Sequence, residues 1–215
     1  MATAAETLDL LDWKRRIFEL YAEVRAADDP EGAWERWRAV RDELFRTHPQ
    51  SPLPPPARAD FHGLDYFPYD AAARVVATVA PREPESLEIA GSAGSTVRFT
   101  RFAAARFELG DETRELQLYW LDGYGGGVFC PFADATSGGE TYGAGRYVLD
   151  TVKGADLGGD GTTVVLDFNF AYNPSCSYDP RWACPLAPPA NRLPVRVEAG
   201  ERYSSSSFSA TELMQ

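Results

Sequence analysis

The sequence predicts a mainly β fold, an antiparallel β-barrel or strongly curved sandwich with two N-terminal α-helices packed outside it. Three observations carry that reading. Hydrophobic residues recur at three- and four-residue steps through the first fifty positions, and at every second position from residue 73 onward. Glycine-containing turns separate the alternating segments. No stretch between those segments is long and periodic enough for the crossover helix that a parallel sheet needs.

Taken in order, Leu10, Trp13, Ile17, Leu20 and Val24 form one apolar stripe of a first helix. Asp28-Asp29-Pro30 breaks it, and Asp29 can cap a second helix with Pro30 in its first turn. Trp34, Trp37, Val40, Leu44 and Phe45 continue on one face; two tryptophans a turn apart read as buried packing before they read as a ligand platform. Residues 1–48 are thus a helical pair, and five prolines between 49 and 56 make 49–57 a stiff spacer across the main domain's surface. Residues 58–203 form the antiparallel β domain. Its strands are marked by Val75-Ala77-Val79, Val97-Phe99, Phe107-Leu109 and Leu116-Leu118-Trp120, then by 128–132, 147–152 and 164–171. Gly110-Asp111 and Asp122-Gly123 turn the chain between strands, and residues 204–215 read as a loose polar tail.

The chain has 215 residues and a net charge of −11, long enough for one sizeable core and too acidic for a phosphate backbone or an anionic membrane. Charges stud the first fifty residues and no uncharged run approaches the ~18 apolar residues of a membrane span, so the expectation is a cytoplasmic protein. Cys130, Cys176 and Cys184 are an odd number without an export signal, so reduced thiols come first, with a Cys176–Cys184 disulfide left open. Their spacing fits no zinc knuckle, and neither a metal nor a cofactor is expected. No nucleophile elbow, phosphate loop or dinucleotide fingerprint is present.

Several ordered pieces of the chain form a recognisable string. They are Phe61-His62-Gly63-Leu64-Asp65-Tyr66-Phe67-Pro68, Pro131-Phe132-Ala133-Asp134-Ala135-Thr136, the run from Glu140 to Tyr147, the run from Asp167 to Pro174, Cys184-Pro185-Leu186 through Asn191, and Ala199-Gly200-Glu201. Together they resemble the bacterial and archaeal family called domain of unknown function 1684, from the Trp13 helix to Tyr203. The resemblance implies no particular activity, substrate or cofactor. Cys130 and His62 take no role from it.

Function is sought in the long loop 172–192, because a compact domain rarely keeps about twenty residues irregular unless they cover or form a site. Asn173, Tyr178 and Trp182 lie in it. Before it, Asp167 and Asn169 share one face of the segment 164–171, placed toward a cleft or spent on bracing the loop. Arg146, after a glycine-rich turn that holds Tyr142, has the fork geometry for a carboxylate or phosphate, or for a structural pair with Asp134 or Asp167. The leading expectation is binding of a small polar or anionic organic ligand, with Arg146 as anchor, Asn169 and Asn173 as orienting partners, and Tyr142, Tyr178 and Trp182 as walls. Alternatives are an enzyme using Asp167 or Tyr142 for hydrolytic or proton-transfer chemistry, and a protein-interaction module built on the helices and spacer. A homodimer is compatible with all three.

Overall fold

The computed structural model describes residues 3–203, and the polar tail lies outside them. Helix α1, Ala4–Ala26, opens on a capping box: the Thr3 hydroxyl accepts from the Glu6 backbone N–H, and the Glu6 carboxylate accepts from Thr3 N at 2.7 Å. Helix α2, Pro30–Thr47, starts as the sequence predicts, with the Asp29 carboxylate accepting from Gly32 N and Pro30 in the first turn. Residues 49–57 are less spacer than packing: Ser51, Pro52 and Leu53 are buried, and Pro55–Ala59 forms a short helix, α3. Their prolines supply fixed φ at a helix start, and Leu53 fills a pocket beside Phe45 and Tyr178.

Six strands form one antiparallel sheet in the order β5-β4-β3-β2-β1-β6. They are β1 Arg74–Ala90, β2 Thr96–Leu109, β3 Glu112–Leu121, β4 Val128–Phe132, β5 Arg146–Asp150 and β6 Thr163–Asp167. Register breaks at Pro81/Glu85, Arg101/Ala103 and Cys130/Pro131 interrupt the ladders. Such breaks bend a strand and increase its twist, so the sheet curls into a half-barrel whose edge strands β5 and β6 come within 8 Å of each other. Small side chains line the tight inside of the curl: Ala77, Ala103 and Ala105 pack with Phe107, Leu116, Phe132 and Phe168. Leu193, Val197 and Ala199, from the chain's last stretch, complete that layer.

The two helices cover the other face. Ile17, Tyr21, Trp34, Trp37 and Leu44 share a cluster with Phe99, Tyr119, Phe129 and Tyr147 of the sheet. Trp37 is fully buried, edge-on to Phe170 at 5.1 Å and Tyr66 at 5.6 Å, while Trp34 donates its indole N–H to the Asn169 carbonyl at 2.9 Å. Both tryptophans are packing residues.

Two boundaries differ from the alternating pattern for a local reason. The strand expected over 164–171 stops at Asp167, whose carboxylate caps a 3-10 turn, Phe168–Phe170, by accepting from Asn169 N. The strand expected over 147–152 stops at Asp150 for the same cause, its carboxylate accepting from Lys153 N at 3.3 Å.

Candidate functional site

A partly open cavity of about 60 Å³ lies where α1 and α2 meet the segment 172–178, lined by Trp13, Arg41, Lys153, Tyr172, Asn173 and Tyr178 among others. Arg41 sits on the buried stripe of α2, and its guanidinium lies over the rings of Trp37 at 4.8 Å, Phe45 at 5.2 Å and Tyr172 at 5.2 Å. A cation there needs a counter-charge. Glu201 supplies it: Arg41 Nη2 donates to Oε2 at 2.7 Å, and Arg41 Nε donates to the Tyr66 hydroxyl at 3.1 Å.

Glu201 is 1% exposed and fully engaged. It accepts from Asn173 N at 3.2 Å, from Asn173 Nδ2 at 3.1 Å and from the Tyr178 hydroxyl. Burial pushes its pKa up, opposed by Arg41 and the Tyr178 and Asn173 donors. Gly200 makes this placement possible. Its φ of +80° is left-handed, and a Cβ there would stand 2.5 Å from the Phe168 carbonyl oxygen.

Asn173 is oriented by two acceptors, since Nδ2 donates to Glu201 and to the Arg202 carbonyl at 2.9 Å. That leaves its buried Oδ1 without a hydrogen-bond partner among the described residues. At the cavity's edge Lys153 Nζ stands 3.6 Å from Asp150, which also accepts from the Tyr172 hydroxyl at 3.3 Å. The cavity therefore combines aromatic walls, an exposed ammonium at the edge and Asn173, whose buried Oδ1 has no hydrogen-bond partner among the described residues.

The residues singled out from the sequence divide. Asn173 and Tyr178 line this cavity. Arg146, expected as an anion anchor, is fully buried, and its guanidinium donates to the carbonyls of Val197 at 3.0 Å, Ala199 and Glu201, with Asp134 at 3.6 Å. It stitches the 197–201 segment to β5, which is why a strand-initial arginine sits where solvent does not reach; burial lowers its pKa to about 10. Asn169 is spent on Asp70, accepting from its N–H at 2.9 Å and donating to its carbonyl at 2.7 Å. Asp167 lines a separate recess of about 40 Å³ with Arg74, 3.7 Å away, and burial raises its pKa against the Asn169 bonds. The Tyr142 hydroxyl lies 3.8 Å from Cys176 Sγ, and Trp182 donates to the Pro52 carbonyl at 3.3 Å, pinning the loop to 49–57.

Arg41, Glu201 and Lys153 were not among the sequence candidates. The signal for Arg41 was present: it occupies an apolar stripe between Trp37 and Leu44-Phe45, where a charge persists only if paired. Glu201 gave none beyond its place in Ala199-Gly200-Glu201, since its partner is 160 residues away. Among the described residues no group of three or more His, Cys, Asp or Glu is placed to hold a metal ion, and no helix is long and apolar enough to cross a membrane.

A half-barrel sheet closed by two helices over a buried Arg–Glu–Asn–Tyr cluster defines the class of protein. The chain belongs to the family described as "Protein of unknown function (DUF1684)", whose sequence profile matches residues 59–202. Among solved structures it is similar to the solution NMR structure of an uncharacterized protein from Haloarcula marismortui, with 38% identity and a TM-score of 0.58, over 80% of this chain and 92% of that one. No curated protein matches the chain.

Proposed function

We propose that the chain binds a small polar molecule, carrying a hydrogen-bond donor and an anionic group, in the cavity between α1, α2 and segment 172–178. The observation that carries this reading is the Asn173 Oδ1 atom: a buried acceptor held in place by its own amide donors, with no partner of its own among the described residues. Leaving such an atom unanswered costs ~1–3 kcal/mol, which a ligand donor or a bridging water recovers. The space of about 60 Å³ seats only a few non-hydrogen atoms, so the ligand is small or inserts only its tip. Lys153, half-exposed at the edge, supplies the electrostatic partner for the anionic group. In this reading Arg41 sets the cavity's charge through Glu201, and Tyr178 and Trp13 are walls. The reading places the chain in the cytoplasm, where three free thiols stay reduced.

Mass spectrometry of small molecules released on denaturing the purified protein tests it. A single anionic compound at near-stoichiometric yield is the expected result, with affinity falling about tenfold in Lys153→Gln, the loss of one exposed charge-assisted contact. Recovery of no compound from wild type, or equal affinity in the variant, counts against the reading. The catalytic alternative draws on one observation, the Asp167 carboxyl raised by burial in the recess beside Arg74.

A further inference from the structure

Helix α1 carries apolar residues on two sides. Trp13, Ile17, Leu20 and Val24 pack into the cluster that joins the helices to the sheet. Leu8, Leu11, Phe18 and Ala22 fall on the opposite side, at the alternating three- and four-residue steps of a heptad seam, with Arg15 in the one remaining position. All five are exposed, and the large side chains among them keep 64% (Leu8), 41% (Leu11) and 45% (Phe18) of their surface. Phe18 is seated rather than loose. Its ring lies on the turn after β5, where a Cβ added at Gly154 would stand 2.9 Å from Phe18 Cδ2.

The charges that border this seam are uncommitted. Elsewhere on α1 they are spent: Arg16 stands 3.4 Å from Asp12, Glu23 pairs with Arg36 at 2.7 Å, and Arg25 donates to the Asp156 carbonyl at 2.6 Å. Lys14, Arg15 and Glu19 are exposed and have neither an ion pair nor a hydrogen bond among the described residues. Lys14 and Glu19 lie on opposite borders of the seam, five positions apart. Within one helix that spacing keeps them from meeting, because only residues three and four apart are neighbours. Between two parallel helices joined along their seams, it is the spacing at which one border charge reaches the opposite border of the other helix.

We propose that α1 is the interface of a two-fold symmetric homodimer in which the helices of two copies lie parallel, with Leu8, Leu11 and Phe18 each meeting its counterpart and Lys14 of each copy pairing with Glu19 of the other. An antiparallel pairing would set Lys14 against Lys14, so the charges choose the orientation. Arg15 then occupies a seam layer with its counterpart, where a polar residue fixes register at a cost in affinity. A contact of about four helical turns covers less than the ~800 Å² per partner of a standard interface, so the dimer is weak and reversible.

Sedimentation equilibrium of the full chain from about 1 µM to about 1 mM tests this, and the expected result is a single monomer–dimer equilibrium. Lys14→Glu and Glu19→Lys should each raise the dissociation constant about tenfold, since symmetry changes two pairs at once, and the double variant should return to within about twofold of wild type. Arg15→Leu should tighten the dimer and Phe18→Asp should abolish it. All these positions are exposed, and unchanged helical circular dichroism melts show that a loss of dimer is not a loss of fold. Ala22→Cys, on the symmetric seam, should cross-link two copies through residue 22 on oxidation. A chain monomeric across the range overturns the proposal. So does a dimer indifferent to Phe18→Asp, or a double charge reversal that fails to restore what the single ones remove.

Discussion

Arg41 shows how one residue organises the site. The residue is 7% exposed, its guanidinium lying over aromatic rings and paired with a carboxylate that is itself buried. Removing one member of such a pair leaves the other uncompensated, so Arg41→Met should cost ~3–5 kcal/mol in urea denaturation at neutral pH. The pH dependence has a defined sign. A carboxyl whose folded pKa lies above its ordinary value of 4.5 stabilises the fold less and less as pH rises through that interval, because the folded state holds the proton longer. Glu201 is already raised by burial, and loss of Arg41 removes its main opposing charge. The stability gap between variant and wild type should therefore narrow as pH is lowered from 8 toward 5, and a gap independent of pH would contradict this account.

The element scale separates what the sequence displays from what it conceals. Period 3.6, the Asp29-Pro30 start and the Gly110-Asp111 turn are local signals, and α2 and the β2–β3 hairpin form where those signals fall. The ends of β5 and β6 were obscured because Asp150 and Asp167 cap turns inside an otherwise alternating run. β1 extends to Ala90, past the alternating valines, because charged residues continue it: Glu85 pairs with Arg101 of β2 at 2.7 Å. Similar cross-strand pairing joins the outer face near Glu115, which accepts from Arg106 and Arg82, both at 2.8 Å. Arg106 first, then Arg82 and Gln117, hold Glu115 down to about 2. Its contribution is present above the ordinary value of 4.5 and disappears as pH falls toward 2, and solvent screening keeps it to ~1 kcal/mol or less. Glu115→Gln should accordingly be less stable than wild type at pH 7 and indistinguishable from it near pH 2, as thermal melts at the two pH values can show.

For the whole molecule, the helices and the sheet share one core. The family profile begins at residue 59, yet the Haloarcula alignment spans 80% of the chain, more than 59–202 makes up. Trp37 and Tyr21 pack in the same cluster as Tyr119 and Phe129, and Arg41 needs Glu201, so residues 1–48 are not a separable appendage. Thermal unfolding followed by helical circular dichroism and by tryptophan fluorescence should give coincident transitions, and a chain starting at residue 49 should lack a cooperative transition. Two resolved steps would show that the helical pair stands apart from the sheet. The sequence revealed both layers but not their joint, because hydrophobic period reports which face of an element is buried and is silent about which distant element covers it.

The pairing of Arg41 with Glu201 also bears on how the chain is made. Helix α2 leaves the ribosome while the carboxylate that neutralises Arg41 still lies 160 residues downstream, and Trp34 waits for the Asn169 carbonyl 135 residues on. At roughly 5–20 residues per second, translation leaves an amphipathic helix with two tryptophans and an unmatched cation uncovered for about ten to thirty seconds. During that interval the nascent chain presents the kind of apolar surface that chaperones hold, and the segment carrying Glu201 is the one that closes it.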